Sequence, residues 1–99
     1  MPIATATKVE VLRVLVHAGP AARARLSPDE CDLLVETCAD VATMADALPG
    51  PLPQDRGRAV RDGVSLLLEL GCPLVDRQLR HDLARAVERV VVRRLTQAA

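Results

Sequence analysis

The sequence contains no Phe, Tyr or Trp among its 99 residues, although hydrophobic residues make up 49% of it. A core must therefore be built from Leu, Val, Ala, Met and Cys, whose modest volumes require many small contacts. The absence of aromatic residues also removes the side chains on which single-stranded nucleic acid bases stack. The length fits a single domain, residues 1–99.

Lysine is almost absent, and no net charge remains. Twelve Arg accompany the single Lys8, and the formal net charge is +0. The arginine excess is typical of a GC-rich genome and favours a bacterial source. A neutral chain gives no bulk electrostatic argument for binding nucleic acid or an anionic membrane. Arg85, Arg89 and Arg93 are spaced to follow one ridge of a helix, but without aromatic residues nucleic acid is the weaker expectation for a partner.

Cysteines are few, and long apolar runs are lacking. The three cysteines Cys31, Cys38 and Cys72 form no even framework. Cys31 and Cys38 are about 10 Å apart along a helix, too far for a disulfide, and they match no zinc spacing. We expect buried thiols and no metal or cofactor. No signal peptide is recognisable, and the apolar run 64–75 is shorter than the roughly 20 residues that span a bilayer. These features predict a soluble, cytoplasmic protein.

Four amphipathic segments with short connections predict an all-α fold, a small four-helix bundle that self-associates. The helices are expected at about residues 8–18, 28–48, 55–70 and 77–97. The β-branched residues of 9–16 keep a strand as the alternative for the first segment.

Local signals set the predicted boundaries. Thr7 with Glu10, and Ser27 with Glu30, match capping boxes, which leaves 1–6 as a loose lead-in. Asp55 and Asp76 are expected to cap the third and fourth helices. Residues 21–26 are predicted to be a loop, and the proline-rich 49–53 to be a stiff connector.

Five residues of the third helix and five of the fourth are expected to face the core: Ala59, Val60, Val64, Leu67 and Leu68, and Leu79, Leu83, Ala86, Val87 and Val90.

The first helix is apolar over most of its circumference. Its polar residues Glu10, Arg13 and His17 fall in one narrow sector, so the helix needs neighbours on nearly every side. Leu66 and Leu70 widen the apolar stripe of the third helix in the same way. This excess motivates the hypothesis of a two-fold dimer. The residues expected at its interface are Val9, Val11, Leu12, Val14, Leu15, Val16, Val91 and Leu95.

Charge is segregated between helices. The second helix carries six acidic residues and no basic one, whereas the fourth carries six arginines against three acids. The two faces either pair within one bundle or form complementary surfaces between subunits, which would set orientation more than affinity.

No motif indicates catalysis. Glu69 is the one carboxylate in a strongly apolar sequence setting, where its pKa could be raised. The preferred interpretation is that Glu69 lies at the edge of the bundle and pairs with an arginine. His17 and His81 are expected at the surface. We therefore predict an interaction or regulatory protein that acts through protein contacts, with itself and with another protein as candidate partners. The alternative is a small all-α enzyme or ligand-binding protein with an arginine-lined site for an anionic small molecule.

Overall fold

The computed structural model describes residues 1–47 and 53–98, which contain helices and no strand. The helices are α1 Ile3–His17, α2 Pro20–Ala24, α3 Pro28–Ala47, α4 Pro53–Gly71 and α5 Arg77–Ala98. The predicted all-α fold is confirmed, and the strand alternative for the first segment is wrong.

Two helices begin where their capping signals predict. At α3, the Ser27 N–H donates to Glu30 Oε1 at 3.2 Å, and the Glu30 N–H donates to Ser27 Oγ at 3.1 Å. At α5, the Leu79 N–H donates to Asp76 Oδ1 at 2.7 Å. Each side chain supplies an acceptor for backbone N–H groups that a helix start leaves unpaired.

The start of α1 differs from the prediction. The helix begins at Ile3, and the Ala6 N–H already donates to the Pro2 carbonyl at 3.1 Å. Thr7 is not a cap: it is fully buried within the helix, and its Oγ1 donates to the Ile3 carbonyl at 2.8 Å. Ile3 is buried against the core, and tertiary packing of this kind extends a helix beyond its local signals. The loose lead-in at 1–6 and the Thr7–Glu10 capping box are therefore wrong.

Two proline positions also shift the boundaries. Most of the loop predicted at 21–26 belongs to the short helix α2, which Pro20 opens after Gly19 turns the chain with φ 92°. Glycine adopts this left-handed conformation without the steric cost of a Cβ. The sequence analysis assigned Pro53 to the connector, but Pro53 is the first residue of α4. Proline suits the first position of a helix. Leu48, the predicted end of the second helix, and residues 49–52 of the connector lie outside the described residues.

The four long helices form an up-and-down bundle. α1 packs between α3 and α5, whereas α4 packs against α3 and α5 and lies diagonally across from α1. The Arg56 side chain donates to the Ala45 carbonyl where α4 begins beside the end of α3. Arg94 of α5 donates to the Met1 carbonyl at 3.0 Å, so α5 ends beside the start of α1. Neighbours around the bundle are thus antiparallel, and the diagonal pair α3 and α5 runs in the same direction.

The core lies along the bundle axis and consists of small aliphatic side chains. Its largest fully buried hydrophobic residues are Leu34, Leu68, Leu83, Val11, Val64, Val87, Val91 and Cys38. The predicted inner face of α5 is confirmed at all five positions. In α4, Val60, Val64 and Leu68 are buried as predicted, but Ala59 and Leu67 are exposed. The buried stripe of α4 instead continues through Gly57, because this face approaches α5 closely.

Candidate interaction surface

One face of α1 is apolar and points away from the core. The exposed fractions are 39% for Val9, 51% for Leu12 and 63% for Val16. The spacing from Thr5 through these residues is four, three and four, which keeps all of them on one face of a helix. The buried residues of the helix lie on the opposite face: Ile3, Thr7, Val11 and Leu15. We call the outward row, Thr5, Val9, Leu12 and Val16, the α1 seam.

The structure divides the eight residues predicted at an interface. Val11, Leu15 and Val91 are buried in the core of their own bundle, and Val14 and Leu95 pack against it in part. Only Val9, Leu12 and Val16 present a large surface outward. Contact between copies stays a prediction for all eight.

The side of the α1 seam next to α3 is acidic. Lys8 Nζ lies 2.8 Å from Glu36 Oε1, which ties α1 to this side of α3, and that hydrogen bond and charge raise the pKa of Lys8. Asp32 and Asp40 are exposed and form no ion pair with any described residue. We call these three carboxylates, Asp32, Glu36 and Asp40, the acidic strip.

The other side of the α1 seam, next to α5, is basic. Arg85, Arg89 and Arg93 are exposed and follow one another at intervals of four. None of the three is ion-paired within residues 1–47 and 53–98. We call them the arginine ridge.

Two open clefts separate α1 from the arginine ridge. One has a volume of about 390 Å³ and is lined by Arg85, Arg89 and His17 among others. The other, of about 450 Å³, is lined by Arg93 and Arg94 together with residues near the start of α1. The clefts share Glu10 and Arg13, whose side chains form an ion pair at 3.0 Å. This ion pair cancels the charge that α1 brings to the clefts. Asp82 of α5 also lines the first cleft and offsets part of the charge of Arg85 and Arg89, so an excess of positive charge remains on α5.

A second apolar area lies at the end of α4 and in the turn that follows it. Leu66, Leu67, Leu70 and Leu74 are between 46% and 74% exposed, and we call them the leucine patch. The sequence analysis placed Leu66 and Leu70 at the edge of the apolar stripe of this helix. It placed Leu67 in the core, and it gave no prediction for Leu74.

The cysteines are free thiols. Burial, and to a lesser extent neighbouring Cys72, raise the pKa of Cys38 to about 12. Burial also raises the pKa of Cys72, and Cys31 is half-buried. Among the described residues, no group of three His, Cys, Asp or Glu side chains is placed to hold a metal ion.

The candidate acid lies at the surface. Glu69 is exposed, and so are His17 and His81. The apolar sequence neighbours of Glu69, Leu68 and Leu70, diverge in space: Leu68 enters the core and Leu70 points outward. The structure therefore gives Glu69 no apolar setting, because adjacent residues of a helix do not share a face.

Comparison of the chain with protein-family models, with curated proteins and with solved structures found no match. Within the part of the chain that the structure describes, no helix combines the length and apolar character needed to cross a membrane.

Proposed function

We propose that this chain is a small helical-bundle interaction protein that acts through protein–protein contacts as a homodimer, with the α1 seam at the contact between copies. We also propose that the chain regulates, or assembles with, another protein. We further propose a bacterial, cytoplasmic setting, because three free thiols agree with a reducing compartment. The observation that carries the proposal is the row of exposed apolar side chains opposite the core stripe of α1.

The spacing of the α1 seam suits helix pairing. Apolar residues that alternate at intervals of three and four form the contact line of two-stranded coiled coils. In the heptad notation of coiled coils, Val9 and Val16 fall at position a and Leu12 falls at position d. Valine at a with leucine at d favours two-stranded coiled coils. A second copy is therefore a suitable cover for this face.

The energy available from the α1 seam is limited. Full burial of a Val or Leu side chain stabilises by roughly 1.5–3 kcal/mol, and these three side chains keep 39–63% of their surface exposed. The six side chains of a dimer would contribute roughly 5–8 kcal/mol, while association costs about 4–15 kcal/mol in lost freedom. The three seam side chains alone are therefore too few for a stable dimer, and the rest of the face must contribute to the contact.

Substitution of Leu12 tests the proposal. We expect Leu12→Glu to convert a dimer of twice 10.6 kDa into a monomer, since two buried carboxylates would face each other. Leu70→Glu is the matched control, because Leu70 is also an exposed leucine but belongs to the leucine patch on α4. Light scattering gives the masses, and circular dichroism verifies that both variants stay helical. A wild-type protein that is monomeric at every concentration contradicts the proposal. A dimer that Leu70→Glu separates and Leu12→Glu does not also contradicts it.

A second candidate function is binding of an anionic small molecule in the cleft beside Arg85 and Arg89. The observation that favours it is that neither guanidinium has an ion-pair partner among the described residues. Citrate and inorganic phosphate in large excess should then raise the Tm by more than about 2 °C, and R85A/R89A should abolish the increase. Arg77→Ala serves as the control on the same helix, and equal behaviour of all three proteins excludes these two anions as ligands.

A further inference from the structure

We infer that two copies pair side by side with their two-fold axis parallel to the helices, so that the acidic strip of each copy lies against the arginine ridge of the other. This inference rests on the proposed function, since it takes the α1 seam as the contact. It adds the orientation of the second copy, which the apolar residues alone leave open.

The charges beside the α1 seam are the first step. The Lys8–Glu36 ion pair places the acidic strip on the α3 side of α1. The shared clefts place the arginine ridge on the α5 side. The face centred on α1 therefore carries negative charge along one edge, an apolar line in the middle and positive charge along the other edge.

Two-fold symmetry puts this face against itself in two limiting ways. With the axis across the helices, α3 would meet α3 and α5 would meet α5, so that like charges oppose each other on both edges. With the axis along the helices, α3 of each copy meets α5 of the other, and both edges are complementary. Opposed like charges in an interface are strongly unfavourable, so the charge distribution selects the second arrangement.

The heights of the charged residues along the bundle agree with this arrangement. α3 and α5 run in the same direction, and Arg94 Nε lies 3.9 Å from Asp46 Oδ1. Counting six residues back along both helices brings Asp40 level with residue 88, which precedes Arg89. An axis parallel to the helices preserves height, so Asp40 of one copy faces Arg89 of the second copy at a similar level.

The apolar line is also suited to parallel pairing. In this arrangement α1 meets α1 in register, with Val9 beside Val9 and Leu12 beside Leu12 of the second copy. Valine at position a and leucine at position d is the combination that parallel two-stranded coiled coils prefer. Lys8 and Arg13, at the edges of the seam, are each bound by a carboxylate of their own chain, which reduces their mutual repulsion.

The contact must extend beyond the α1 seam. α1 has 15 residues and is about 22 Å long, so only the whole side centred on α1, with the neighbouring faces of α3 and α5, can approach the roughly 800 Å² per partner of a standard interface. The acidic strip and the arginine ridge thus supply the surface that the α1 seam lacks.

Disulfide trapping tests the orientation directly. In the parallel arrangement, Val9→Cys and Val16→Cys should each form a covalent dimer under mild oxidation, because every seam residue meets its own equivalent. In an antiparallel arrangement with its axis at the middle of the α1 seam, Val9 lies opposite Val16 of the second copy, so that only a mixture of the two variants would be trapped. The unsubstituted chain, with its half-buried Cys31, is the control, and trapping of the mixture alone overturns the inference.

Charge reversal provides an independent test at low ionic strength. Asp40→Arg and Arg89→Glu should each weaken dimerisation about tenfold or more, since each places like charges together twice per dimer. The combined variant D40R/R89E should recover to within about threefold of wild type, which also shows that both substitutions are tolerated by the fold. Asp62→Arg, an exposed aspartate on the diagonally placed α4, is the control and should change nothing.

The outcomes separate the inference from the proposed function. A wild-type chain that never dimerises removes both. A dimer that Leu12→Glu separates, but for which D40R/R89E is no tighter than either single variant, removes the orientation and leaves the contact on the α1 seam.

Discussion

A buried thiol shows how strongly the interior of this small bundle excludes charge. Cys38 is 0% exposed and lies in the core cluster with Leu34 and Ala42 on the same helix. Burial raises its pKa from 9.0 to about 12, and nearby Cys72 adds a smaller contribution. The thiol therefore behaves as a small apolar side chain and holds its proton across the physiological range.

The raised pKa of Cys38 predicts a loss of stability at alkaline pH. In the unfolded chain the thiol ionises above about pH 9, whereas in the folded state it stays protonated up to about pH 12. Its contribution is thus complete below pH 9 and is lost as the pH rises, by about 1.4 kcal/mol at pH 10. Denaturant unfolding between pH 8 and 10 should show this fall. Cys38→Ala should reduce it and leave the part that comes from the raised pKa of Cys72.

Val35→Ala is the control for this measurement, because it truncates a half-buried side chain of the same helix without removing a thiol. It should retain the wild-type slope of unfolding free energy against pH. The same slope in Cys38→Ala as in wild type would contradict the assignment to Cys38.

At the scale of elements, the contact between α4 and α5 depends on a single glycine. A Cβ added to Gly57 would lie 2.5 Å from Val92 Cγ2 and 3.3 Å from Glu88 Cγ on α5. Carbon atoms do not approach so closely, so a side chain here would force the helices apart or displace the branched Val92. The fold therefore uses glycine at this position for close helix packing, at the cost of its low helix propensity.

Two glycine substitutions on α4 should have opposite effects. Gly57→Ala should lower the free energy of unfolding by about 1–2 kcal/mol, because overpacking outweighs the gain in helix propensity. Gly63→Ala should raise it by about 0.5–1 kcal/mol, since nothing lies within 4 Å of its added Cβ. Denaturant unfolding measures both, and a stabilised Gly57→Ala would show that the helices separate without strain.

Local chemistry decides how much of these elements the sequence predicts. The starts of α3 and α5 are predictable because Ser27, Glu30 and Asp76 make short-range hydrogen bonds. The start of α1 is not predictable from the sequence, because the burial of Ile3 depends on helices that are far away along the chain.

The candidate surface is predictable in its chemistry but not in its geometry. The segregation of acids from arginines is visible in the sequence, and the structure adds that the two groups border the same helix. The α1 seam is hidden, because α1 has valine and leucine on both its core face and its outward face: Leu15 is buried while Leu12 is half exposed. Only the positions of α3 and α5 distinguish the two faces.

At the scale of the whole molecule, the bundle has sides of different character. α1 presents an apolar line between an acidic edge and a basic edge, whereas α4, diagonally opposite, carries the leucine patch. A monomer gains little stability from the charges beside these exposed valines, because ion pairs at the surface contribute little. A two-fold dimer would use the apolar line and both charged edges together.

Sedimentation equilibrium of the wild-type chain over a wide range of concentrations tests this claim most directly. Our account predicts a weight-average mass that rises from 10.6 kDa to twice that value and then stays constant, because a closed two-fold contact leaves no α1 seam exposed for a third copy. A mass that remains at 10.6 kDa throughout, or that grows without limit, would contradict it.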